Sequence, residues 1–325
     1  MIGAQVVSVS NRRTNFKFEI RRSITIVKGD SGTGKTTLFD MIASHTRLGE
    51  SSGVTIQCNK QCVALVDIDW ENQLSSIRDS IVFIDEGARY VTSKDFATAI
   101  QKTDNYYVFF TREDLKELPY SVDEIYQIKT SGKKYHTFKR LYKAGKNHVY
   151  SLASQRRTPS QFDTLLTEDS KGGLQFYICR FDKSEVTCKS AGNNAGVYTW
   201  IKNNPNVSVF VVADGAAFGS EIDRVLKLQA IRPSKVTICL PESFEWLLLN
   251  SGIVSHPTLS SVLEDTAEYV DSTKHFTWEQ FFTDYLYEIT KNTIFRYAKN
   301  KLPRAFEAPE NAERVIAEIA TKNIR

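Results

Sequence analysis

The chain lacks any apolar run near the ~18 residues that a membrane helix needs. Its longest apolar runs, around residues 209–212 and 246–249, have the length of a core strand or core helix. Residues 1–10 show no basic stretch followed by an apolar one, so no secretory leader is expected. Cysteine is sparse: five residues, an odd number and widely scattered, fit a reducing cytosol better than a disulfide framework. Cys58 and Cys62 stand close, but no second Cys or His pair follows at ligand spacing, so zinc is not expected. Repeats and low-complexity tracts are missing, which excludes solenoids and collagenous or largely disordered chains. Charge of one sign is also missing: 42 Lys+Arg against 38 Asp+Glu leaves +4, too little to diagnose a nucleic-acid binder. What remains is ordinary globular composition, 41% apolar and 25% charged, over 325 residues, a length of about two domains.

Along the chain, strands and helices alternate. Residues 6–9 and 16–20 flank a polar turn at Asn11-Arg12-Arg13, as a hairpin does. The β-branched run 23–27 ends in Gly29, and residues 35–47 carry a helical apolar pattern. Residues 80–85 and 106–111 are continuous apolar runs, expected of strands buried on both faces of a parallel sheet. Polar, Gly- and Pro-bearing stretches near 143–160 mark a soft boundary, so residues 1–150 and 151–325 are expected to form two α/β units. In the second, strands are expected near 162–167, 185–189, 207–213 and 235–240, with helices between them. The last hundred residues read as mostly helical. There Trp278, Phe281, Phe282, Tyr285 and Ile289 make one packing stripe.

The sharpest signal is Gly29-Asp30-Ser31-Gly32-Thr33-Gly34-Lys35-Thr36, followed by Thr37. It satisfies G-x-x-x-x-G-K-[ST], follows a strand and opens a helix, the context this phosphate-binding loop requires. The glycines allow positive φ and close backbone approach. Successive N–H groups and the helix N-terminus attract phosphate. Lys35 is placed to neutralise the β/γ-phosphates of ATP, and the Thr36 hydroxyl to ligate Mg²⁺. Downstream, Ile81-Val82-Phe83-Ile84-Asp85-Glu86 is a buried strand ending in two acids. Asp85 is expected beside the Mg²⁺, and Glu86 to polarise the attacking water as general base. Thr111-Arg112, ending the next buried strand, are candidates to sense γ-phosphate or orient water.

The strand-loop-helix segment with its preceding hairpin resembles the ATP-binding core of ABC-type ATPases. The LSGGQ-like signature of that family is missing between residues 38 and 80. The helical subdomain that carries it has no room here, which argues against ATP-sandwich dimerisation.

In the second half, Leu165-Leu166-Thr167-Glu168 is a strand ending in an acid. About 45 residues later residues 209–214 repeat the pattern, ending in Asp214-Gly215. This order resembles a Toprim domain, in which a Glu after one strand and a D-x-D after a later strand bind Mg²⁺ for phosphodiester chemistry. The resemblance implies that Glu168 and Asp214 hold Mg²⁺ or Mn²⁺. It departs at position 216, which is Ala where the second Asp is expected. Glu221 and Asp223 are candidates for the missing ligand; an α/β domain with acids at strand ends and no metal stays open as well. Lys291, Arg296, Lys299, Lys301 and Arg304, with Lys133-Lys134 and Arg156-Arg157, are candidates for a phosphate-binding surface.

Together the halves resemble compact OLD-family proteins, in which an ATPase is joined to a Toprim domain. That resemblance implies a cytoplasmic protein of antiviral (phage) defence. Its ATP state would control a nuclease acting on DNA or RNA, as a homo-oligomer or with a partner protein and away from the membrane. The alternative is a nucleotide-dependent switch or assembly protein whose second domain has no chemistry. A small-molecule kinase is disfavoured by the Asp85-Glu86 pair.

Overall fold

A computed structural model describes residues 1–30, 32–66, 69–132, 134–152 and 162–319. Ser31, Lys133, Arg156 and Arg157 lie outside the described residues. The chain is mixed α/β and divides into two compact units: residues 1–142 with Asp265–Thr277, and Lys143–Glu264 with Trp278–Arg325.

The first unit is built on a nine-stranded sheet in the order β4-β1-β2-β9-β8-β3-β7-β6-β5. Its opening hairpin is β1 (Gln5–Ser10) and β2 (Asn15–Ile20), paired at six positions across the turn that the alternating pattern marks. β3 (Ile24–Lys28) leads into the loop and α1 (Lys35–Leu48). His45 and Arg47 in the last turn of α1 suit its negative end. β4 (Thr55–Gln57) pairs with β1. β5 (Gln61–Leu65), β6 (Ser80–Ile84) and β7 (Tyr106–Thr111) join β3 as a parallel block, with α2 (Trp70–Ser76) and α3 (Lys94–Ile100) as crossovers. The hairpin β8 (Ile125–Ser131) and β9 (Tyr135–Arg140) closes the gap between β3 and β2.

β6 and β7 have no exposed residue because both sheet faces are covered. On one face Phe83, Val108 and Phe110 join a core with Leu38, Met41 and Ile42 of α1. On the other, Phe96 of α3 meets Phe109 edge to face at 6.1 Å and Trp70 at 5.2 Å. The segment Asp265–Thr277 returns to this unit because its backbone pairs with the first residues: Gly3 N donates to Ala267 O at 3.0 Å and Ser272 N to Met1 O at 2.9 Å.

The second unit holds a five-stranded sheet in the order β10-β14-β13-β11-β12. β10 (Val149–Tyr150) is the antiparallel edge. β11 (Thr164–Thr167), β12 (Thr187–Ser190), β13 (Val209–Val212) and β14 (Val236–Cys239) run parallel. α4 (Gly172–Phe181), α5 (Asn194–Asn203) and α6 (Ile222–Ile231) cross between the strands. α7 (Phe244–Asn250), α8 (Leu259–Glu264), α9 (Trp278–Thr290), α10 (Arg304–Glu307) and α11 (Pro309–Ile319) complete the unit. Of the α9 stripe, Phe281 and Phe282 are buried, together with Leu286, while Trp278, Tyr285 and Ile289 are half-buried.

Phe110 is 1% exposed at the centre of the first core, so Phe110→Ala should cost about 3–5 kcal/mol. Denaturant titration of the variant would read that loss directly.

Candidate functional sites

The parallel block brings the first site together. β3 ends in the glycine-rich loop, and β7 lies between β3 and β6, so the segments after all three strands emerge at one edge. Gly29, Gly32 and Gly34 sit at φ of +155°, +82° and +98°, where a side chain is strained. A Cβ on Gly34 would meet Phe16 at an ordinary contact distance of 3.5 Å, so the backbone angle is what favours glycine there. Gly34 caps α1 with no side-chain cap, and no acid stands in the first turn, so the helix presents its positive end unneutralised by its own side chains.

Lys35 is 4% exposed. Its ammonium donates to the carbonyls of Gly29 and Asp30 and stands 3.7 Å from Glu86. The Glu86 carboxylate takes a second cation, Arg112, at 2.6 Å. A cavity of about 340 Å³ opens here; Asp30, Gly32, Thr33, Gly34, Thr36 and Thr37 line its loop side, and Lys35, Glu86 and Arg112 line it too. Asp85 follows β6 directly but does not line this cavity. Thr111 does not line it either: its hydroxyl closes a turn on Glu113, accepting from N at 2.9 Å and donating to O at 3.1 Å.

Two lining residues escape the sequence reading. Thr130 of β8 and His136 of β9 bond to each other at 3.0 Å, and His136 stacks on Phe16 at 4.5 Å. Their signal was alternation in residues 125–131 and 135–140 about Ser131-Gly132, a hairpin pattern that Lys129, Lys139 and Arg140 obscure.

In the second unit, Thr167 of β11 is in register with Val212 of β13, so the acids that follow converge. Asp214 N donates to the Glu168 carboxylate at 3.1 Å, and Phe244 N donates to Asp214 at 3.1 Å. Burial raises Glu168 to about 8, with the charges of Glu279 and Asp169 adding to it, and raises Asp214 well above the usual carboxylate range, with the charge of Glu168 adding to it.

The cavity they share, about 190 Å³, also takes Asp169, Glu245 of α7, Glu279 of α9, Lys171 and Lys299. Lys299 donates to Glu279 at 2.8 Å and the Tyr297 hydroxyl to Glu245 at 2.5 Å. The buried Tyr177 hydroxyl, a further lining group, has no hydrogen-bond partner among the described residues. Among the described residues no group of three or more His, Cys, Asp or Glu stands at metal-holding geometry.

Several expectations need correction. Glu221 and Asp223 do not supply a third ligand: neither lines the cavity, and they pair with Arg224 and Lys227 instead. Lys299, a candidate for the basic surface, also lines this cavity and pairs with Glu279, and Lys291 pairs with Glu288 at 2.7 Å; both side chains stay exposed. No helix of the described residues is long and apolar enough to cross a membrane.

The raised Glu168 sets a pH dependence. An acid whose folded pKa lies above its unfolded value loses stability as pH rises from about 4.5 to about 8. Glu168→Gln keeps an acceptor for Asp214 N and removes that loss. Thermal melts should place the variant above the parent by a margin that grows across this window and levels off beyond it. A constant margin would contradict the burial of this charge. Neither a family model nor a curated protein matches this chain.

Proposed function

We propose that the first unit is a P-loop domain that binds and hydrolyses ATP. Its nucleotide state would control a Toprim-like second unit that acts on nucleic acid with a divalent metal. The observation that carries the reading is the meeting of Lys35, Glu86 and Arg112 over a glycine loop that opens α1. Phosphate would take the place of the carbonyls as partner of Lys35, and the α1 N-terminus would add its dipole. Glu86, steered by Arg112, would hold the attacking water and accept its proton. Thr36 and Asp85 are oxygen donors, the set that Mg²⁺ prefers. In the second unit Glu168 and Asp214 are likewise hard oxygen donors at the carboxyl ends of adjacent parallel strands. The reading places the chain among proteins like the OLD family, with a role in phage defence.

Ala216 favours a second reading. It is 3% exposed and apolar where the Toprim pattern has a ligand. The second unit would then be a docking module, and ATP a switch for assembly with itself or a partner.

Paired assays separate the two. Glu86→Gln should slow ATP turnover by about 10²–10⁴ while leaving nucleotide binding intact. Under the first reading, nicking of DNA or RNA requires Mg²⁺ or Mn²⁺ and disappears in Glu168→Ala. Absence of cleavage in any divalent metal, with nucleotide-dependent association, gives the second reading.

A further inference from the structure

The first unit holds a larger groove than either site above. β2 and β9 run parallel but pair at only two positions, Asn15 with Tyr135 and Phe16 with His136. On their other sides each pairs at six, β2 with β1 and β9 with β8. Beyond Phe16 a cleft of about 870 Å³ borders the two strands. Its apolar lining includes Phe18 and Phe138, which stack on each other at 4.0 Å. Its rim is basic, with Lys17, Arg21, Lys129 and Arg140.

One lining residue, Glu19, is acidic, and Arg21 holds it at 3.0 Å; Arg140 lies 3.6 Å from Asp123. Lys17 and Lys129 are exposed, and no ion pair among the described residues engages them. Strand alternation sets both on one sheet face with Tyr135. Lys17 lies two residues from Asn15, the partner of Tyr135, and Lys129 lies two from Ser131, its partner on the other side. That face also carries Thr137, and Tyr135 is 60% exposed.

We propose that this cleft binds single-stranded nucleic acid, with backbone phosphates on Lys17 and Lys129 and a base stacked on Tyr135. The proposal rests on the nucleic-acid reading above for its class of ligand, but it assigns the contact to the first unit and requires no cleavage. Two free cations on one face with an open ring between polar Asn15, Ser131 and Thr137 are the parts of a single-strand track. An acidic peptide would use the cations but needs apolar anchor pockets on their face, where the neighbours Asn15, Ser131 and Thr137 are polar while Phe18 and Phe138 alternate to the other face.

The test is fluorescence anisotropy of the full chain with a labelled mixed-sequence single-stranded RNA or DNA, in EDTA, across a salt series. Lys17→Gln/Lys129→Gln should weaken binding at least about tenfold and flatten the log–log salt slope by about 1.4. Tyr135→Ala should weaken it at least about fivefold. Lys94→Gln, an exposed lysine of α3 outside the cleft and both sites, should bind as the parent does, and EDTA keeps the measurement independent of any cleavage. Unchanged binding in the double lysine variant overturns the proposal. So does displacement of the strand by poly-glutamate of equal charge as effectively as by unlabelled strand.

Discussion

A buried ammonium has to be neutralised where it stands, and in this chain that requirement organises the first unit. Lys35 sits at the mouth of the glycine loop, 4% exposed, held by two loop carbonyls and facing Glu86. The carbonyls can turn toward it because Gly29 and Gly34 take backbone angles that other residues resist. Glu86 reaches it because β6 ends level with the loop, and Arg112 reaches Glu86 because β7 lies between. A lysine, a carboxylate and an arginine in one small cavity form a charge network whose balance a bound polyphosphate would change.

The second unit meets the opposite difficulty, with negative charge gathered out of water. Glu168 and Asp214 share one hydrogen bond, and Asp169, Glu245 and Glu279 border the same cavity. The fold answers in part with backbone N–H donors from Asp214 and Phe244, and with Lys299 paired to Glu279. Burial favours the neutral form of Glu168 and Asp214, a preference that a bound cation would oppose, and this gives the metal-dependent reading its chemical sense.

Much of this was legible locally. The loop motif, the two buried apolar strands and the acids at 85, 86, 168 and 214 are contiguous patterns, and strand register alone brings Glu168 to Asp214. What stayed hidden is non-local. Glu279 and Lys299 reach the cavity from the C-terminal helical segment, more than a hundred residues from Glu168, and no spacing rule links them. The hairpin bearing Thr130 and His136 was masked by its charged outer face. Thr111 shows the reverse: its position at a strand end suggested a sensor, but its hydroxyl satisfies the backbone of its own turn.

The central claim is that the loop around Lys35 is a nucleotide site. Titration calorimetry with Mg-ATP on the full chain measures it most directly. Saturable binding of one nucleotide per chain is expected, lost in Lys35→Ala while circular dichroism shows the variant still folded at the titration temperature. Equal affinity in parent and variant, or no binding by the parent, would contradict it.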